Sequence, residues 1–231
     1  MTLKQLAYRI IGIYRANYKN TDSLSLRLVM SWIDTTRALL TRQKLDREFG
    51  GIDEALVQSL GSLELEEIDS SIFQDIPSGR KMKRTKEKVP LPIMVRNSPG
   101  FLRVGPADRL ETKFKVVNHE AALSSGYSKF NSKDIYAYYL DGHLYFISKD
   151  WNYFKQLMYV DIRGVFQNPL EAGKFTDPGF NEDSEYPIPS SMIEMIESYI
   201  VQNKLSQVMS GLSDDVANER DNLTNLQSSS E

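Results

Sequence analysis

The chain has no cysteine, only two histidines, and no apolar run long enough to cross a bilayer. Without cysteine there are no disulfides, Cys-ligated zinc, iron–sulfur clusters or thiol nucleophiles. This suits folding in a reducing cytosol. A membrane span needs about 18 consecutive apolar residues, which are missing. The opening MTLKQLAYRIIGIYRANYKN is not expected to be a signal peptide, because polar residues break each apolar stretch and no small-residue cleavage site follows. His119 and His143 stand alone, with neither a Gly-x-Ser-x-Gly elbow nor a His-Glu-x-x-His pair. No Walker or Rossmann glycine pattern occurs. Glu64, Glu66, Glu67 and Asp69 have the spacing of a strand's solvent face rather than of a paired acid and base. Asp214, Asp215, Glu219 and Asp221 lack the glycine and closing glutamate of an EF-hand loop. No enzyme chemistry and no cofactor are expected. The formal net charge of -3 argues against a globally basic nucleic-acid binder but leaves room for a local basic patch.

With 41% hydrophobic and 26% charged residues, the chain can form a packed core. Leu3, Leu6, Ala7, Ile10, Ile11 and Tyr14 recur at helical spacing, with Lys4, Gln5, Arg9 and Arg15 off that stripe. After a polar turn, Ser23 or Ser25 can cap a second helix running to Arg47. Its stripe includes Leu26, Val29, Met30, Ile33 and Leu40, while Arg27 and Arg42 point away. These elements predict a helical hairpin over residues 1–50.

Residues 51–188 read as a mainly antiparallel β domain. IDEALVQSLG suggests a turn or two of helix, and LELEEI alternates like a half-buried strand. IYAYYL-DG-HLYFI is a hairpin signal, because Asp141-Gly142 suits the positive φ angles of a type I′ turn. LMYVDIRGVF is a further strand, followed by a loop to Tyr186. Residues 79–92 carry Arg80, Lys81, Lys83, Arg84, Lys86 and Lys88 among prolines and a glycine, a composition that favours a basic loop. Such a loop can meet DNA phosphates, dock on an acidic partner, or remain solvated. The aromatic stretch from Tyr127 to Tyr159 can give one sheet face to the core. The other face is then either a subunit interface or a surface with scattered tyrosines.

Residues 189–212 predict a C-terminal helix, with Ser191 and Glu194 as a capping box and Met192, Met195, Ile196, Tyr199 and Ile200 as its apolar face. Residues 213–231 read as a flexible polar tail. Helices, then strands, then a helix make the fold class α+β.

The stretch SLSLRLVMSWIDTTRALLTRQKLDREFGGIDEALVQSLGSLELEEID resembles the opening of ring proteins in crAss-like phages: a helical pair, a short turn at Gln58–Gly61 and a strand. DIRGVFQNP and YPIPSSMIEMIESYI are similar to that family's closing strand and terminal helix. The resemblance implies a virion protein of the head-to-tail connector, made in the bacterial cytoplasm. It implies identical subunits in a ring, with twelvefold symmetry expected nearest the portal. Portal and neighbouring connector or tail proteins would be partners, around a DNA channel, with no membrane, cofactor or catalysis. On this view Arg27 and Arg42 serve ring contact, and the basic loop meets packaged DNA or a neighbouring ring. The alternatives are a nucleic-acid-binding module using that loop, or a small hydrolase of unfamiliar type.

Overall fold

The computed structural model describes residues 1–17, 24–47, 52–68, 82–95, 98–108, 112–124, 134–148 and 151–206. The expected tail 213–231 lies outside them. The fold is α+β, with N-terminal helices, a central mostly antiparallel sheet and a C-terminal helix.

Helix α1 (Leu3–Asn17) buries all six residues of its predicted stripe. Helix α2 (Leu26–Arg47) starts where Ser25 Oγ accepts the Leu28 N–H at 3.2 Å, so Ser25 is the cap. Val29, Met30 and Ile33 face α1 in one apolar cluster. That cluster also contains Tyr186, Ile196, Ile200 and Leu205, so the two ends of the chain build one helical layer.

The sheet begins with β1 (Gln58–Ile68), after a short 3-10 turn at Glu54–Leu56. The other strands are β2 (Met82–Thr85), β3 (Met94–Val95), β4 (Ser98–Pro99), β5 (Phe101–Pro106), β6 (Lys115–Val116), β7 (Tyr136–Leu140), β8 (His143–Ile147) and β9 (Tyr159–Gly164). The seven-stranded order is β5-β9-β1-β2-β8-β7-β6, with β6 parallel to β7 and β3–β4 a separate small hairpin. Strand β1 is shared: Gln58–Glu64 pairs with β9, and Leu65–Ile68 with β2. The predicted turn at Gln58–Gly61 is therefore part of this strand. Its trace in the structure is a bulge between Ser59 and Gly61, where Gly61 takes φ +71. The expected β7–β8 turn is present, with Asp141 at φ 50 and Gly142 at φ 82. The sheet curls until its end strands approach, and the Phe114 N–H donates to Val104 O at 2.7 Å. Leu63, Val104, Ala137, Leu144, Phe146, Val160, Ile162 and Phe166 fill the concave side.

Further expectations change in and around the sheet. Residues 82–85 form a central strand rather than a loop, because Met82 and Thr85 are buried and the ladder to β1 and β8 satisfies the backbone. The segment after Phe166 holds helix α5 (Pro169–Thr176): Asn168 Oδ1 accepts the Leu170 and Glu171 N–H groups, and Pro169 occupies the first helical position. The second aromatic face is covered from within, since Met82, Tyr138, Tyr145 and Ile147 pack with Ala122 of helix α3 (His119–Ser124). Among the described residues it is neither an open interface nor a scatter of exposed tyrosines, although Tyr159 is exposed; Tyr127 and Phe130, and the side chains of Trp151 and Tyr153, lie outside what is described.

Helix α6 (Ser190–Tyr199) follows Pro189 without a side-chain cap, so the expected Ser191–Glu194 box is not formed. Met192 and Ile196 are buried, but Met195 is 54% exposed. The helix continues as a π-helical turn over Ile200–Leu205. Residues five apart diverge on an α-helix; the wider π turn brings Ile200 and Leu205 onto the same buried face.

Arg37 joins the helical layer to the sheet. It is fully buried; Nε donates to Pro187 O at 2.9 Å and Nη1 to Phe166 O at 3.0 Å. The guanidinium lies 5.7 Å from the Tyr186 ring centroid, and the Tyr186 hydroxyl donates to Asp34 Oδ1 at 2.5 Å. Burial raises the Asp34 pKa, opposed by the Tyr186 hydrogen bond and then by Arg37. Burial also lowers the Arg37 pKa and raises that of Tyr186.

Arg37→Ala removes the donor to both carbonyls and leaves Asp34 without its cation, so stability should fall by about 3–5 kcal/mol in urea melts. Arg37→Lys should lose less than Arg37→Ala but remain below the parent, since an ammonium does not reproduce the planar fork. Parent-like melting of both variants would refute the role given to Arg37. Phe146→Ala, in the concave core, should cost about 3–5 kcal/mol by the same measurement.

Candidate functional site

The six cations of the basic segment have different environments. Arg80 and Lys81 lie outside the described residues. Lys83 points into the fold: its Nζ donates to Leu157 O at 2.7 Å and to Lys155 O at 3.0 Å. These carbonyls lie at and just beyond the end of helix α4 (Trp151–Gln156), where a cation offsets the negative end of the helix dipole. The Phe154 ring lies 5.7 Å from Nζ, and burial lowers the Lys83 pKa.

Arg84 faces Glu66 across the β1–β2 ladder, with Nε 2.5 Å from Oε1; Lys86 Nζ meets Glu64 Oε2 at 2.9 Å. Two carboxylates considered for acid–base work are thus half of a cross-strand charge ladder. The hydrogen bond to Glu66 raises the Arg84 pKa, and that to Glu64 raises the Lys86 pKa. Lys88 is exposed, its stem against Gly142. The histidines have structural neighbours: His143 Nδ1 lies 2.8 Å from Thr85 O and therefore carries the proton, and His119 packs 5.0 Å from the Tyr138 ring. Among the described residues, no group of three His, Cys, Asp or Glu side chains could hold a metal ion.

Arg27 and Arg42 occupy the outer face of α2. Together with Ser31 and Thr35 they form an exposed stripe at helical spacing. The two arginines are about 22 Å apart along the axis, at about 1.5 Å per residue. Arg42 sits 3.8 Å from Asp46 and borders a 380 Å³ groove lined also by Asp34, Thr35, Ala38, Leu39 and Ile93. Leu39 is exposed, as are Leu91 and Met94 on either side of Ile93. This is a mixed apolar and charged surface of the kind found at subunit contacts. The periodicity of α2 pointed to the two arginines; Ile93 and the neighbouring apolar residues carried no such signal.

Lys83→Ala should lower stability by about 1.5–3 kcal/mol, because it removes buried hydrogen bonds from a charged donor. Lys86→Gln, at an exposed pair, should leave it nearly unchanged. Thermal melts of both variants check the contrast, and equal effects would contradict the different roles.

No helix among the described residues is long and apolar enough to cross a membrane. A search of curated proteins found no match. A family model described as phage tail ring protein 2, from crAss-like phages, matches residues 5–223. A tail ring protein is a structural component of the virion and assembles as an oligomer. With nearly the whole chain matched, the protein belongs to the phage tail ring protein 2 family of crAss-like phages.

Proposed function

We propose that the chain forms one ring of the head-to-tail connector, joining portal to tail and surrounding the DNA channel, without catalysis or a cofactor. The family match over residues 5–223 carries this reading. The exposed face of α2 and its groove support it: a surface meeting a different surface on the next copy, repeated by rotation, closes a ring. In this reading the ring has twelve identical subunits. Its partners are the portal and the neighbouring connector or tail proteins. The chain is made in the host cytoplasm and ends in the virion, and residues 1–50, 51–188, 189–212 and 213–231 divide its work.

Packaged DNA would be met through phosphate charge, without sequence readout. Of the described cations in the basic segment, Lys88 is the exposed one without a carboxylate at ion-pair distance. Lys83 is buried, and Arg84 and Lys86 face acids. That distribution favours a conduit wall over a dedicated nucleic-acid-binding module.

A cryo-EM reconstruction of purified virions tests the assignment. Density for this chain should form a closed ring between portal and tail, around the channel; density elsewhere in the particle would refute it. Arg27→Glu and Arg42→Glu should keep the parent's circular dichroism and reduce incorporation into particles. Normal incorporation, or loss of folding, would contradict the ring-contact role.

A further inference from the structure

A second groove, of 340 Å³, lies between the C-terminal half of α2 and the first turn of α6. Leu40, Met192 and Met195 give it an apolar lining, and Lys44, Arg47 and Ser191 give it polar groups. Lys44 and Arg47 lie in the last turn of α2, and among the described residues neither has a carboxylate at ion-pair distance. The α6 terminus beside them begins after Pro189 with no side-chain cap, so its first N–H groups add positive potential. The groove suits a segment that alternates apolar and acidic side chains.

Residues 207–231 have that chemistry. They carry Asp214, Asp215, Glu219, Asp221 and Glu231 against a single Arg220, and Leu212 and Val216 flank the Asp214-Asp215 pair. The family match extends to residue 223 and includes the pair. The described chain ends at Ser206, and Ser191 is about 22 Å back along the helix at about 1.5 Å per residue. The eight residues from Ser206 to Asp214 span at most about 26–29 Å fully extended. Within one subunit Asp214 would approach the Ser191 end of the groove only on a nearly extended path, whereas Val216 could reach Met195, about 16 Å back, with slack, so cross-linking separates the two arrangements. A neighbouring subunit presents the same groove without that constraint.

We propose that the acidic segment 207–231 of one subunit docks in the α2–α6 groove of the next, Asp214 and Asp215 meeting Lys44 and Arg47 while Leu212 and Val216 meet the exposed Met195. This rests on the chain assembling as a ring, and is independent of where that ring sits in the particle.

The cysteine-free sequence permits a direct test. Full-length chain carrying Met195→Cys and Val216→Cys is treated with a short bismaleimide, and products are separated on a denaturing gel. The expected result is a ladder of covalent oligomers, which either single cysteine variant fails to give beyond the dimer. Adding Lys44→Glu and Arg47→Glu should reduce the ladder about tenfold or more, because like charges then meet. Adding Asp214→Lys and Asp215→Lys to that same chain should restore it. Raising salt from about 50 mM to about 500 mM should weaken the parent ladder through screening. Cross-linking within one chain, no cross-linking, or a ladder indifferent to the reversals would overturn the proposal.

Discussion

A buried arginine holds the two layers of this molecule together. Arg37 lies in α2, yet its hydrogen bonds go to Phe166 beyond the end of β9 and to Pro187 ahead of α6. A guanidinium out of water is costly unless its donors are used and an anion lies near. The two carbonyls, the Tyr186 ring and the Asp34 carboxylate provide most of that environment, while Nη2 is buried with no hydrogen-bond partner among the described residues. An apolar side chain could fill the space, but it would leave two buried carbonyls without their donor. This contact ties α2 to the segment after β9 and to the one ahead of α6. The apolar contact of Leu56, Ile93, Val165 and Met192 gives the same junction a dry part.

Much of the helical layer was legible because period and burial agree. Each stripe residue of α1 is buried, and the cap of α2 is Ser25, one of the two serines expected there. The β7–β8 hairpin was legible for a similar local reason, since Asp141-Gly142 favours a particular turn. Strand β2 was hidden by its own charges. Lys83 and Arg84 suggest solvent when read in sequence, but one is satisfied by carbonyls around the end of α4 and the other by Glu66 on the adjacent strand. Arg37 was hidden for the same reason: its partners are more than a hundred residues away. Helix α5 did have a local signal in Asn168-Pro169, masked by the glycines and prolines that follow. The outer arginines of α2 could be read from spacing, whereas the groove beside Arg42 arises only when Ile93 and Asn168 pack against that helix.

Ion pairs tie neighbouring strands of the sheet together, and others lie on the helical layer, at Lys4–Asp183, Arg9–Glu197 and Arg42–Asp46. Arg103 meets Asp161 at 2.6 Å between β5 and β9, and Glu64 and Glu66 face Lys86 and Arg84 between β1 and β2. Such pairs reinforce register. The last turn of α2 differs, because Lys44 and Arg47 border an apolar groove rather than an acidic strand.

The helical core contains Leu3 through Ile33 from the beginning of the chain and Ile196 through Leu205 from near its end. On the ribosome, the first two helices emerge with an apolar face whose covering residues have not been synthesised. At roughly 5–20 residues per second, that exposure lasts on the order of 10–30 s. During this interval a nascent subunit cannot present the finished α2–α6 surface. Translation itself therefore separates production of the sheet from completion of the helical layer, and a prematurely terminated chain would lack part of that layer rather than enter assembly as a shortened equivalent.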